Sequence, residues 1–169
     1  MPSHSDSETK RSIAPNADKL LHTSSRFEFE VKAPIELVAP LFGAEKERSW
    51  SPGWDPVFLW PSNAHDREGM IFKVAHGHNS AIWLNTIFDT VMGRIQYVYI
   101  LPDTLVTLIN IKMRKQEGST CVSVEYDRTS LNQVANDTVH QMAEHDASLG
   151  SVWERRINEY LDKMSGKQT

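Results

Sequence analysis

The stretch "STCVSVEYDRTSLNQVANDTVHQMAEHDASLGSVWERRINEYL", residues 119–161, changes its periodicity part-way. As far as Thr129 the period is two. Val122, Val124 and Tyr126 alternate with Ser123, Glu125 and Asp127, which predicts a strand with one buried face, and the apolar set is read as the inward one. From Asn132, a residue type suited to an N-cap, the period lengthens. Ala135, Val139, Met142, Leu149, Trp153, Ile157 and Leu161 recur at threes and fours, with one seven-residue gap. That spacing predicts an amphipathic helix of about thirty residues.

Upstream of this junction, strand-like runs follow one another: 69–76 "GMIFKVAH", 80–89 "SAIWLNTIFD", 93–101 "GRIQYVYIL" and 104–114 "TLVTLINIKMR". All are rich in β-branched and aromatic residues, and short turn signals separate them ("GHN", "PD", "QEG"), so they read as an antiparallel meander. Nearer the N-terminus, Phe27, Phe29 and Val31 alternate with Glu28, Glu30 and Lys32 until Pro34 ends the run. In "PIELVAPLFGAEKERSW", Ile35, Val38, Leu41 and Phe42 sit at helical spacing, but Pro40 and Gly43 interrupt them. Two short helices are expected there. The order is strand, two short helices, meander, long helix, with no internal repeat. One helix covers only part of so wide a sheet, so the remaining concave surface is either filled by side chains or left as a cavity.

Composition narrows the class. Of 169 residues, 24% are charged and 40% hydrophobic, and the net charge is −4, ordinary for a soluble globular chain of one domain. Lys and Arg are scattered, so no nucleic-acid partner is expected. A single cysteine, Cys121, excludes an intramolecular disulfide and fits a reducing compartment; no apolar run is long enough to insert in a membrane. With no apolar leader, a cytoplasmic location is expected. Residues 1–22 are read as a mobile tail, 23–165 as the folded domain and 166–169 as a frayed end.

"FEFEVKAPIELVAPLF", "ERSWSPGWDP", "IWLNTIFD", "YVYILP", "GSTCVSVEYDRTSL" and "VWERRINEYL" occur in that order over residues 26–161. In words and order the chain resembles the START and birch-pollen-allergen (SRPBCC) superfamily, in its bacterial polyketide-cyclase-like or lipid-transport-like branch. The resemblance implies an α+β helix-grip fold: a curved antiparallel sheet of six to seven strands around a long C-terminal helix, with two short helices after the first strand. It also implies a hydrophobic cavity between sheet and helix that holds a lipid, polyketide or aromatic compound. It names no catalytic residue, since fold does not fix reaction.

Several residues carry possible chemistry. His76 and His78 flank Gly77 in a turn, which spoils chelation, and His140 and His145 do not share a helix face; no metal or cofactor is expected. Cys121 reads as an inert thiol in a strand. Asp146 lies seven residues before Trp153 and so interrupts the apolar stripe. Aimed at a cavity it would act as an acid or base; the preferred alternative is that the helix bends at "ASLG" and lets it reach solvent. Gly150 favours such an irregularity. Asp146, His76 and Tyr126 are the catalytic candidates. The expected cavity residues are Trp50, Trp54, Trp83, Tyr97, Tyr99, Tyr126, Met142, Asp146, Leu149 and Trp153. The two faces of 80–89, Ala81/Trp83/Asn85/Ile87 and Ile82/Leu84/Thr86/Phe88, are almost equally apolar, so the pattern does not choose the inward one and leaves open that both are covered. In "ERSWSPGWDPVFLWP", residues 47–61, Trp50 and Trp54 are expected to close one end of the fold and Trp60 to lie along the sheet. Three functions follow as alternatives: binding of a small hydrophobic molecule by a monomer or homodimer, a cyclase or aromatase, or an interaction module docking through exposed tryptophans.

Overall fold

The structure is a computed structural model that describes residues 19–166. Most of the segment expected to be a tail, residues 1–18, lies outside the described residues, as do 167–169. Leu21 is already tied in: its N–H donates to Ser130 Oγ (2.9 Å) and Asn136 Oδ1 (3.0 Å), and its carbonyl accepts from the Ser130 N–H (2.9 Å).

Seven strands form one antiparallel sheet: β1 His22–Val31, β2 Val57–Trp60, β3 Ile71–His76, β4 Asn79–Asp89, β5 Arg94–Leu101, β6 Leu105–Gln116 and β7 Ser119–Ser130. Their order is β1-β7-β6-β5-β4-β3-β2, so β3 to β7 form the expected meander and the first strand joins the last. β2 is the element that the sequence pattern hides. It is only four residues long, between Pro56 and Pro61, and sits at the sheet edge, where proline at a strand's ends is tolerated.

Strand alternation builds two faces. On the inner face, one cross-strand row runs Trp83–Tyr99–Thr107–Arg128–Thr23, and the next runs Asn85–Tyr97–Ile109–Tyr126–Ser25. The ambiguity of β4 is thereby resolved: Ala81 and Asn85 are buried on the inner side. Ile82 and Leu84 face outward, where they pair in rows with Ile100, Val106, Val98 and Leu108. These six outer aliphatics are half-buried, which is why both faces of the strand look apolar in sequence.

After β1 come α1 (Ile35–Val38), a 3₁₀ turn (Ala39–Phe42) and α2 (Ala44–Glu47). Asp66, from a distant loop, caps α2 by accepting from the N–H groups of Glu45 (2.8 Å) and Lys46 (3.1 Å), which satisfies donors that a helix start leaves free. Gly43 permits this approach: a Cβ there would lie 2.3 Å from Asp66 Oδ2.

The C-terminal helix is not continuous. Asn132 caps a 3₁₀ turn (Gln133–Ala135), its side chain accepting from the Ala135 N–H at 2.9 Å. Then come α3 (Asn136–Asp146) and α4 (Leu149–Ser165), broken at Ala147 and Ser148. Ser148 turns its hydroxyl (2.7 Å) and its N–H (3.0 Å) onto the His145 carbonyl, a local competition with the helical ladder. Gly150 follows the break and lies against β1, where a Cβ would come within 3.3 Å of the Glu28 carbonyl and the Phe27 ring. The bend is at the expected place, but Asp146 does not reach solvent: it is 3% exposed.

Under α4 the interior is solid. Trp153 meets Phe27 at 5.4 Å and Trp50 at 5.5 Å between ring centres, both edge-on, and Phe42 lies 5.9 Å from Trp50. Ile157 is fully buried beside them. Such aromatic pairs add about 0.5–1.5 kcal/mol each beyond area burial.

Candidate ligand cavity

Under α3 the same sheet leaves a cavity of about 260 Å³. Val74, Ala75 and His76 of β3 form one wall, with Ala81 and Trp83 of β4 and Tyr99 of β5. Thr107 and Ile109 of β6 and Tyr126 and Arg128 of β7 form the other. Met142 of α3 and Trp54 complete the lining. The wall is mostly apolar because the inner strand positions here hold aromatic, aliphatic or small residues.

Of the residues expected in the cavity, Trp54, Trp83, Tyr99, Tyr126 and Met142 are on its wall, and so is the catalytic candidate His76. Trp50, Tyr97, Asp146, Leu149 and Trp153 are not. Trp50 is buried in the solid half and donates from Nε1 to the Leu41 carbonyl (2.7 Å). Trp153 and Leu149 pack with the same core. Tyr97 donates its hydroxyl to the Phe42 carbonyl at 2.9 Å. Among the three opening tryptophans, Trp54 turns inward, its Nε1 donating to the Ala44 carbonyl at 2.7 Å, while its ring stands edge-on to Trp83 at 5.3 Å. Trp60 is half-exposed on the edge strand with Arg67 over its ring at 5.0 Å. The three indoles therefore do not form one exposed docking patch.

Asp146 is held by Arg128. The guanidinium donates through Nη1 to Oδ2 and through Nη2 to Oδ1 (3.0 Å), and Ser25 Oγ also donates to Oδ2. Both ion-pair partners are almost completely buried. A buried bidentate pair of this kind is costly to break, and both carboxylate oxygens are already engaged, so Asp146 is not the free cavity group that the sequence allowed for. Arg128 further stacks over Tyr126 at 4.4 Å. Period two from Tyr126 leads directly to Arg128, so that signal was present in the sequence.

Most of the buried polar atoms without partners lie in one row of the inner face. Trp83 Nε1, Thr107 Oγ1, Arg128 Nε and Thr23 Oγ1 are buried and have no hydrogen-bond partner, and all four residues are cross-strand neighbours in the row that contains Tyr99. The Tyr99 hydroxyl reaches His76 Nδ1 at 3.3 Å. Burial pushes the Tyr99 and Tyr126 hydroxyls above the ordinary phenol value; at Tyr126 the Asp146 charge adds to it.

A second polar centre, unforeseen from sequence, lies by α2. Burial, and then the Asp66 carboxylate, push Glu47 up to about 8. Its charge is felt at both Tyr97 and Tyr126. Asn85, in the row with those tyrosines, is fully buried, and its side chain acts on the Tyr97 hydroxyl.

No known protein-family profile matches the sequence, and no curated protein matches it. Solved structures do. Norcoclaurine synthase from Thalictrum flavum, in complex with dopamine and hydroxybenzaldehyde, is 12% identical with a TM-score of 0.66, over 95% of this chain and 98% of that one. The fold is the helix grip. Ara h 8.0201 shares the grip at 11% identity and a TM-score of 0.63, over 83% and 99% of the two chains. CalU16 from Micromonospora echinospora shares it at 12% identity and a TM-score of 0.55, over 84% and 83%. At these identities the likeness extends to the grip and not to its chemistry. Among the described residues, no three of His, Cys, Asp and Glu come together as metal ligands would, and no helix is long and apolar enough to cross a membrane.

Proposed function

We propose that this chain binds a small hydrophobic molecule between its sheet and α3. The observation that carries this reading is the cavity of about 260 Å³, walled by Trp54, Trp83, Tyr99, Tyr126, Ile109 and Met142. Mostly apolar walls with a few convergent polar groups are the usual make-up of small-molecule sites. The grip of norcoclaurine synthase, solved with dopamine and hydroxybenzaldehyde, supports single-ring aromatics as one size that such a space accepts. Native mass spectrometry of freshly purified protein, followed by thermal-shift screening of apolar compounds, tests it. Several compounds should raise the melting temperature, and Ala81→Phe, which fills the cavity, should abolish the shift. No shift with any compound would sink the reading.

A second reading, an enzyme of the cyclase or aromatase type, is favoured by the contact of His76 Nδ1 with the Tyr99 hydroxyl on the cavity wall. That pair, with Tyr126 opposite, is placed to exchange a proton with a bound molecule. His76→Gln should then keep ligand affinity while ending conversion of a polyketide-like substrate. Unchanged conversion in that variant would rule His76 out as the proton carrier.

A further inference from the structure

Three residues of the cavity wall carry, just beneath its surface, donors that the protein itself leaves unused. Thr107 is 1% exposed and Arg128 3% exposed, yet Thr107 Oγ1 and Arg128 Nε have no partner, and neither does the indole Nε1 of Trp83. All three residues line the cavity, and they follow one another in a single cross-strand row with Tyr99 between Trp83 and Thr107. Buried donors are rarely left unpaired, because each costs the desolvation of its N–H or O–H. An indole N–H and a guanidinium N–H can only donate. Whatever satisfies them must present acceptors.

The charge balance narrows the ligand further. Both terminal nitrogens of Arg128 are committed to Asp146, so the cation on the wall is already neutralised by a buried anion behind it. An incoming carboxylate would bring an unbalanced negative charge beside the buried Asp146, which is unfavourable in a poorly solvated site. A carbonyl or similar neutral oxygen would not. Size narrows it again. The volume of about 260 Å³ lies just under the roughly 300–1,000 Å³ of drug-sized sites, too little for a sterol or a long acyl chain. The flanking Trp54, Trp83 and Tyr99 rings suit a flat molecule.

We infer that the ligand is a neutral, planar compound of about two rings with a carbonyl-type acceptor on the edge that faces the Trp83–Thr107–Arg128 row. This rests on the cavity being the binding site, and it excludes long-chain lipids and multi-ring polyketides from that site.

A matched pair of probes tests it. Calorimetric titration compares α-tetralone with tetralin, which lacks only the carbonyl; naphthoate and palmitate are the anionic and long-chain comparisons. A site built to donate hydrogen bonds discriminates against the analogue that cannot accept them. α-Tetralone should bind about tenfold more tightly than tetralin, and more tightly than naphthoate or palmitate. Trp83→Phe and Thr107→Val should each shrink the tetralone–tetralin gap to about threefold or less; the gap within each variant is the readout, so a change that affects both compounds alike cancels. Two independent variants keep the test open if one folds poorly. Equal affinity of tetralone and tetralin would overturn the acceptor inference while leaving the cavity reading in place. Tighter binding of naphthoate would overturn the neutrality, and tighter binding of palmitate the size limit. Binding of none of the four, with no hit in the wider apolar screen, would remove the cavity reading itself.

Discussion

The half of the grip beneath α4 and the half beneath α3 share one sheet, but the first is solid and the second hollow. Beneath α4, Trp153 and Ile157 descend onto Phe27 and Phe29 while Trp50 and Phe42 close in from the short helices. Beneath α3, the helix buries only Val139 and Asp146, and the strands below present Ala81 and Thr107 among the larger rings. Side-chain volume, not backbone architecture, decides where the void sits. The Arg128–Asp146 pair stands at the boundary, where the two helices part. The contrast teaches that a packed end can hold the fold together while the other end remains free for a ligand.

The sharpest way to break that division is at its boundary. Asp146→Ala leaves the Arg128 cation buried without its partner, and should cost about 3–5 kcal/mol in urea-melt stability. A cost below about 1 kcal/mol would mean that the pair is solvated in solution. In the solid half, Trp153→Ala removes the ring shared by Phe27, Phe29, Phe42 and Trp50. It should cost about 3–4 kcal/mol with little change in ligand affinity, since Trp153 is off the cavity wall.

Glu47 gives a pH-dependent test. Its folded value of about 8 lies above its ordinary 4.5, so the folded state holds the proton more tightly than the unfolded one. Below 4.5 both states are protonated and burial of Glu47 adds no pH-dependent cost. As pH rises from 4.5 to about 8, the unfolded state ionises first and stability falls; above that window the loss is complete. Glu47→Gln removes the loss. Its advantage over the parent should grow across the window to about 1–3 kcal/mol, the lower figures reflecting its remaining solvent contact. A pH-independent difference would show that Glu47 titrates normally. The smallest effect belongs to the hollow half: Thr107→Val replaces an unpartnered hydroxyl by a methyl of the same shape, and should change stability by less than about 1 kcal/mol, in the favourable direction. A larger loss would reveal a partner for that hydroxyl.

The meander, the short helices and the bend at "ASLG" were legible from periodicity and breakers, because those signals are local. So was the inward set of β7, including the wall position of Tyr126. What was not legible depends on contacts distant in sequence. β2 has four residues and acquires its identity only by pairing with β3. The direction of Asp146 was misjudged because its partner, Arg128, is on another element, and a carboxylate without a visible partner reads as exposed. Trp153, Leu149 and Trp50 look like cavity residues from the stripe alone, yet they fill space that neighbouring aromatics also enter. Thr107 and Arg128 share a row with Trp83 only through strand register, and Glu47 meets the charge of Asp66 only because that residue reaches α2 from a loop some twenty residues away.

The break between α3 and α4 has a consequence for how the molecule breathes. α4 is anchored along β1 by the aromatic cluster, whereas α3 has Val139 as its one fully buried apolar side chain and polar ties at its two ends, Asn136 with Ser130 and Leu21 and Asp146 with Arg128. In hydrogen-exchange terms these are two cooperative units of unequal depth. The amides of α3 should exchange through a local opening that leaves α4 protected, and that opening uncovers the cavity from the Met142 side without any loss of the fold.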